Sequence, residues 1–149
     1  MGADTAGEGS DLFACQLIGE EGGEQCAVLH GKFDEDIFAA QLYCLGKFYN
    51  NALAAVEANF STYPIMELER LKYPNQYVRE KTDDFTHSVV KSYGFKTTSA
   101  TRPPALAALI AAFRRNPEII KDEATLGEMM SFVRNENGRA QASGGSHDD

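Results

Sequence analysis

"NNALAAVEANF", residues 50–60, decides how this 149-residue chain is read. Asn50-Asn51 is a turn signal, and "LAAVE" (53–57) is a short apolar strand ending on a carboxylate, Glu57, with Asn59 just beyond it. A carboxylate at a strand end, beside small residues, leaves room for a ligand rather than for packing. Two other acidic places share this character. Asp4 stands ahead of a glycine-rich turn in "GADTAGEGSD" (2–11), and Asp148 and Asp149 follow His147 after the glycine loop "ASGGS" (142–146). Such groups gathered at one sheet edge repel one another unless a cation joins them, and oxygen ligands suit Mg²⁺ or Mn²⁺. The chain has 22 acids, so on spacing alone solvated surface charge competes with this reading.

Upstream, "DLFACQLI" (11–18) and "QCAVLH" (25–30) are apolar runs joined by "GEEGGE", which predicts a β-hairpin. "FDEDIFAAQLYCLGKFY" (33–49) changes to helical spacing, with Ile37, Phe38, Leu42, Leu45 and Phe48 assigned to one face. Asp34 is the expected cap, and Phe33 and Phe38 take the positions of a hydrophobic staple.

Downstream, a second helix is expected from "STYP" to about Lys72, with Pro64 in its first turn. "QYVREK" (76–81) and "SYGFK" (92–96) read as strands. A third helix is capped by Thr101 and stopped at Asn116-Pro117. A fourth follows Asp122, with Leu126, Met129, Met130 and Val133 as its core face; "NENGR" (135–139) is a turn. An opening hairpin followed by alternating strands and helices predicts one α/β domain over 1–149, a mixed sheet covered by helices.

Composition narrows the function. No apolar run reaches the roughly 18 residues of a membrane span, and no secretory signal pattern is visible, so an intracellular soluble protein is expected. Cys15, Cys26 and Cys44 form no CxxC pair; buried free thiols are expected rather than a zinc site or disulfides. GxxxxGK[ST] is absent, which excludes a phosphate-cradling ATPase loop. Net charge is −8, yet residues 85–147 carry eight basic groups against five acids, which suggests a polar partner for that part. His30 and His87 have no motif partner and read as structural or surface residues. Asp11 fixes a turn, and Asp83-Asp84 is a polar loop.

"VEANFSTYP" (56–64), "YVREKTDDFTH" (77–87), "YGFKTTSATRP" (93–103), "FVRNENGRAQA" (132–142) and "HDD" (147–149) resemble the C-terminal nuclease domain of tailed-phage terminase large subunits. The resemblance runs from Asp4 to Asp149 with its motifs in order. It implies an RNase H-like fold and a metal-dependent endonuclease that cuts concatemeric double-stranded DNA during genome packaging. Carried over, Asp4, Glu57 and Asp149 are the metal ligands, with Asp148 a supporting acid or the ligand in its neighbour's place. His147 is a proton carrier, a metal contact or a solvated loop residue. Arg102, Arg134 and Arg139 are candidate phosphate contacts, each also readable as a solvated arginine. The implied cofactors are two Mg²⁺ or Mn²⁺ ions. The implied partners are DNA, an ATPase domain in cis, the portal protein and the small terminase subunit, in the host cytoplasm and not at a membrane.

The chain departs from that pattern at both ends. Only three residues precede Asp4, and the apolar helix that normally follows the third acidic motif is missing, as is the ATPase motor. A fragment is therefore expected, with weak or no cleavage by itself, because an untethered Asp149 would fray. Two other functions stay open on sequence: a junction-resolvase type of RNase H-like nuclease, and a non-catalytic DNA- or protein-docking module.

Overall fold

The structure is a computed structural model that describes residues 1–5, 12–82, 88–134 and 140–142. Its central sheet holds β1 (Gly2–Asp4), β2 (Phe13–Ile18), β3 (Gln25–Gly31) and β4 (Ala55–Val56) in the order β3-β2-β1-β4. β2 pairs antiparallel with both β3 and β1, whereas β1 and β4 run parallel, so the sheet is mixed. The hairpin read from the two apolar runs is present, and Gly23 supplies the positive φ of +66° in its turn.

Alternation along these strands fixes which face is buried. Phe13, Cys15 and Leu17 of β2, Ala3 of β1, and Ala54 and Val56 at β4 are all buried. All of these but Leu17 share one core with α1 (Glu35–Phe48) and α2 (Tyr63–Arg70), which contribute Phe38, Leu42, Ile65 and Leu68. Phe13 and Phe38 lie 4.7 Å apart between ring centroids, and Phe33 stacks on Phe38 at 6.0 Å, so the staple exists as expected. Fully burying a side chain such as Phe38 contributes about 1.5–3 kcal/mol.

The helical face of α1 needs a correction. Phe38, Ala39, Leu42 and Gly46 form its buried stripe, while Ile37 is 48% and Phe48 81% exposed. Neighbouring residues on a helix diverge by about 100°, and the sheet meets only the stripe centred on Phe38 and Leu42. Asp34 takes the cap position of α1, but its side chain makes no capping hydrogen bond. Gly46 is held by contact: a Cβ there would strike the Tyr73 ring, whose hydroxyl donates to the Ala52 carbonyl.

β5 (Val78–Thr82) and β6 (Val89–Tyr93) form an antiparallel hairpin. The chain on either side of it lies along the outer edge of β4, through bridges Ala54↔Gln76 and Glu57↔Phe95. Gly94 permits that approach. Its φ is +87°, and a Cβ would meet Ile65 and stand 2.9 Å from the Val56 carbonyl oxygen.

α3 (Arg102–Arg115), a 3-10 turn at Pro117–Ile119 and α4 (Glu123–Ser131) follow, then the hairpin strands β7 (Phe132–Arg134) and β8 (Ala140–Ala142). The start of α4 is fastened to the β2–β3 hairpin by buried Gln25. Its Oε1 accepts the Lys121 and Asp122 amides at 2.8 and 2.7 Å, and its Nε2 donates to Gln16 at 2.7 Å. Asp122 caps α4 as expected, accepting from the Thr125 amide at 2.8 Å. The core face expected for the fourth helix fails: α4 buries no residue, Met130 is 87% exposed, and Val133 belongs to β7; α3 likewise buries none. Ile119 and Ile120, in the connection between the helices, are the buried apolar residues here. Cys15 is buried, but Cys26 and Cys44 are exposed, contrary to the expectation for all three thiols.

Candidate active site

The parallel register of β1 and β4 builds the site. Gly2 pairs with Ala55 and Ala3 with Val56, so the next step along both strands sets Asp4 beside Glu57. The Glu57 amide donates to the Ala3 carbonyl at 2.7 Å, which locks this step of the ladder. Adjacent strands are about 4.8 Å apart. Ala3 and Val56 face the helices, so the pleat turns the two acids to the opposite face, where both are partly exposed. Gly2, Ala14 and Ala55 are their neighbours on that face, and such small residues leave space above the carboxylates. Both acids end parallel strands, at the edge where α/β sheets hold their ligands.

The residues after each acid are anchored. Thr5 is buried, and its hydroxyl accepts from the Ser61 amide at 3.4 Å. Asn59 donates to the Thr97 carbonyl at 2.7 Å and accepts the Thr97 amide at 3.1 Å. Thr97 leads into the start of α3, where capping differs from the sequence expectation. Thr101 accepts from the Thr98 amide at 2.9 Å and donates to the Lys96 carbonyl at 2.8 Å. The Thr98 hydroxyl accepts from the amides of Ala100 and Thr101, and its carbonyl accepts from Arg102 at 3.0 Å. Thr98, three residues earlier, does the capping, because residues 99–101 already turn helically. Arg102 opens α3, with its guanidinium carbon 5.9 Å from the Phe132 ring centroid at the start of β7.

Asp4 and Glu57 are thus brought together, and Arg102 sits at the head of α3 beyond the Asn59 anchor. His147, Asp148, Asp149 and Arg139 lie outside the described residues, as do Asp11, Asp83, Asp84, His87 and the expected 135–139 turn. Arg134 closes β7. Among the described residues no three His, Cys, Asp or Glu side chains converge as a metal site. Two adjacent carboxylates offer the hard oxygen donors that Mg²⁺ and Mn²⁺ take, so the donor chemistry present fits such an ion. The sequence reading missed Thr5, Thr98 and the double bond of Asn59 to Thr97. Asn59, two residues past Glu57, carried the only local signal.

The fold is RNase H-like: a mixed sheet flanked by helices, with the parallel pair β1–β4 carrying the two acids. Among solved structures, the chain is similar to that of the large terminase nuclease from thermophilic phage G20c, with a TM-score of 0.62. The match covers 99% of this chain and 73% of that one at 16% identity. No family model and no curated protein matches the sequence. At this identity the likeness speaks for the fold, and in fold the resemblance read from the motifs holds.

Proposed function

We propose that this chain is the nuclease domain of a phage terminase large subunit, a divalent-metal-dependent endonuclease acting on double-stranded DNA during genome packaging. The observation that carries the reading is the β1–β4 register, which makes Asp4 and Glu57 neighbours at the ends of parallel strands. The RNase H-like fold shared with a terminase nuclease supports it.

In this reading Asp4 and Glu57, with Asp149 or its neighbour Asp148, hold Mg²⁺ or Mn²⁺. Bound ions supply activation of the attacking water and stabilisation of the leaving 3′-oxygen. The carboxylates hold and orient and do not attack. His147 is assigned the part of proton carrier. Arg102, Arg134 and Arg139 contact the phosphates beside the scissile bond and set the strand's position. A net charge of −8 gives the domain low intrinsic affinity for DNA, since phosphate contacts supply most non-specific binding. An ATPase domain in cis, the portal protein and the small terminase subunit are the proposed partners that keep DNA at the site, in the host cytoplasm.

The test is nicking and linearisation of supercoiled plasmid in Mg²⁺ or Mn²⁺, beside Asp4→Asn and Glu57→Gln. Metal-dependent cutting lost in both variants is the expected result. Preference for a four-way junction over plasmid would turn the assignment to a resolvase. No cutting, with no Mn²⁺-induced rise in melting temperature, would leave a docking module.

A further inference from the structure

Asn59 stands two residues beyond Glu57, where regular pairing with the neighbouring segment is ending. Glu57 bridges Phe95, and the Ala58 amide donates to the Phe95 carbonyl at 2.8 Å. At the next place along the edge the Asn59 side chain takes over. Its amide nitrogen and oxygen engage the carbonyl and amide of Thr97, at 2.7 and 3.1 Å, as a backbone partner would. The next residue along the chain, Thr98, begins a second cluster of hydrogen bonds. Thr98 and Thr101 hold each other and the Lys96 carbonyl, and the Arg102 amide is fixed on the Thr98 carbonyl. The Asn59–Thr97 clasp, the Thr97–Thr98 peptide link and the Thr98–Thr101 hydrogen bonds therefore join the strand end that carries Glu57 to the first residue of α3.

We infer that Asn59 is a positioning residue: its amide clasp sets the distance between the Glu57 carboxylate and the head of α3, so that a DNA phosphate contacted by Arg102 lies against the acid pair. The inference rests on the nuclease reading. Phosphodiester cleavage needs the phosphate, the acids and their ions in one arrangement, and small displacements are costly there. Asn59 itself is exposed and outside the apolar core, so a purely structural purpose would give it little to do. Asn75, whose amide donates to the Asn51 carbonyl at 2.9 Å, makes the same kind of bond away from the acids and serves as a matched control.

The experiment compares wild type, Asn59→Ala, Arg102→Ala, the double variant and Asn75→Ala. Amide hydrogen exchange comes first. Asn59→Ala is expected to speed exchange at Thr97, Thr98 and Arg102 while Glu57 and Ala58 stay protected, and unchanged exchange at Thr98 and Arg102 overturns the inference whatever the enzyme does. Plasmid cutting in Mn²⁺ comes second. Asn59→Ala and Arg102→Ala are each expected to lower kcat about 10- to 100-fold, as a misplaced phosphate would. The double variant should then fall within about threefold of the worse single one, because one arrangement is lost only once. Mn²⁺ binding, followed by thermal shift, should stay unaltered in Asn59→Ala, and Asn75→Ala should cut like wild type. Independent effects that multiply, or a loss in Asn59→Ala matched by Asn75→Ala, overturn the positioning role. Absence of any metal-dependent cutting by wild type, together with no Mn²⁺-induced rise in its melting temperature, overturns the nuclease reading itself, and this inference falls with it.

Discussion

The amide of Glu57 donates to the carbonyl of Ala3 at 2.7 Å, and Ala3 is the residue immediately before Asp4. One hydrogen bond of a parallel ladder thereby ties together two acids 53 positions apart in the chain. If these acids share a divalent ion, neutralising either one removes a ligand and relieves their repulsion. Asp4→Asn and Glu57→Gln should each cut DNA at least about 100-fold more slowly, equivalent to about 2.7 kcal/mol in the barrier. Both should lose the rise in melting temperature seen on adding Mn²⁺. Differential scanning fluorimetry beside a plasmid assay checks this, and a metal response that survives in both variants would refute the shared site.

Gly94 is the tightest backbone point beside Glu57. At φ +87°, with the Val56 carbonyl 2.9 Å from where a Cβ would stand, no L side chain fits without moving the 94–96 segment away from β4. Gly94→Ala should cost about 1–3 kcal/mol, the usual scale of a backbone conformation forced on the wrong residue. Urea denaturation measures the loss. A second consequence is local: the Phe95 amide, bonded to the Val56 carbonyl at 2.7 Å, should exchange faster in the variant.

Gln25 is buried and satisfies two consecutive amides, those of Lys121 and Asp122. Gln25→Leu keeps the volume but strands both donors, at about 1–3 kcal/mol for each buried donor left unpaired. Proteolysis should then open the 116–125 connection before the sheet. An unaltered digestion pattern would mean that the Lys121–Glu24 ion pair, 2.7 Å long and on the surface, is enough to hold the helix start.

Acid should loosen the same connection. The Thr125 amide, and then its hydroxyl, hold the Asp122 carboxyl below its ordinary 3.8. A lowered carboxyl stabilises the fold at pH above that ordinary value and loses its contribution as pH falls through the lowered one. Asp122→Asn keeps a cap that does not titrate, so its melting temperature should depend less steeply on pH between about 5 and 2 than that of wild type.

Cys15 predicts the opposite limb. Burial pushes its thiol from 9.0 up to about 11, so the neutral form favours the fold. That contribution is complete below 9.0 and is lost as pH rises through about 11, for about 2–3 kcal/mol in all. An aromatic disulfide reagent at pH 8 should label Cys26 and Cys44 in the native protein and reach Cys15 only after unfolding. Prompt labelling of all three would contradict the burial.

Much of this architecture was legible in the chain. The β2–β3 hairpin, the four helices, the Phe33–Phe38 staple and the stop at Asn116-Pro117 follow from local patterns that depend on few neighbours. Capping was less legible. Thr101 has the right side chain beside the right proline pair, yet Thr98 makes the capping bonds, since the choice depends on how the preceding turn closes. The apolar residues of α4 misled for a different reason. Periodicity reports that a helix has an apolar side, not that anything among the described residues covers it.

Sequence alone determined the order of most elements and the residue types at their ends: an apolar strand that finishes on Glu57, Asp4 ahead of a glycine-rich turn, and a proline-led helix beginning at Arg102. These are fixed by side-chain period, turn chemistry and helix stops, all of which act over a few residues. Tertiary structure alone decided that β4 returns parallel to β1 in a register that sets one acid beside the other, and that Asn59 reaches Thr97. Strand register is chosen by which apolar residues the sheet buries against α1 and α2, and that choice belongs to the packed core as a whole.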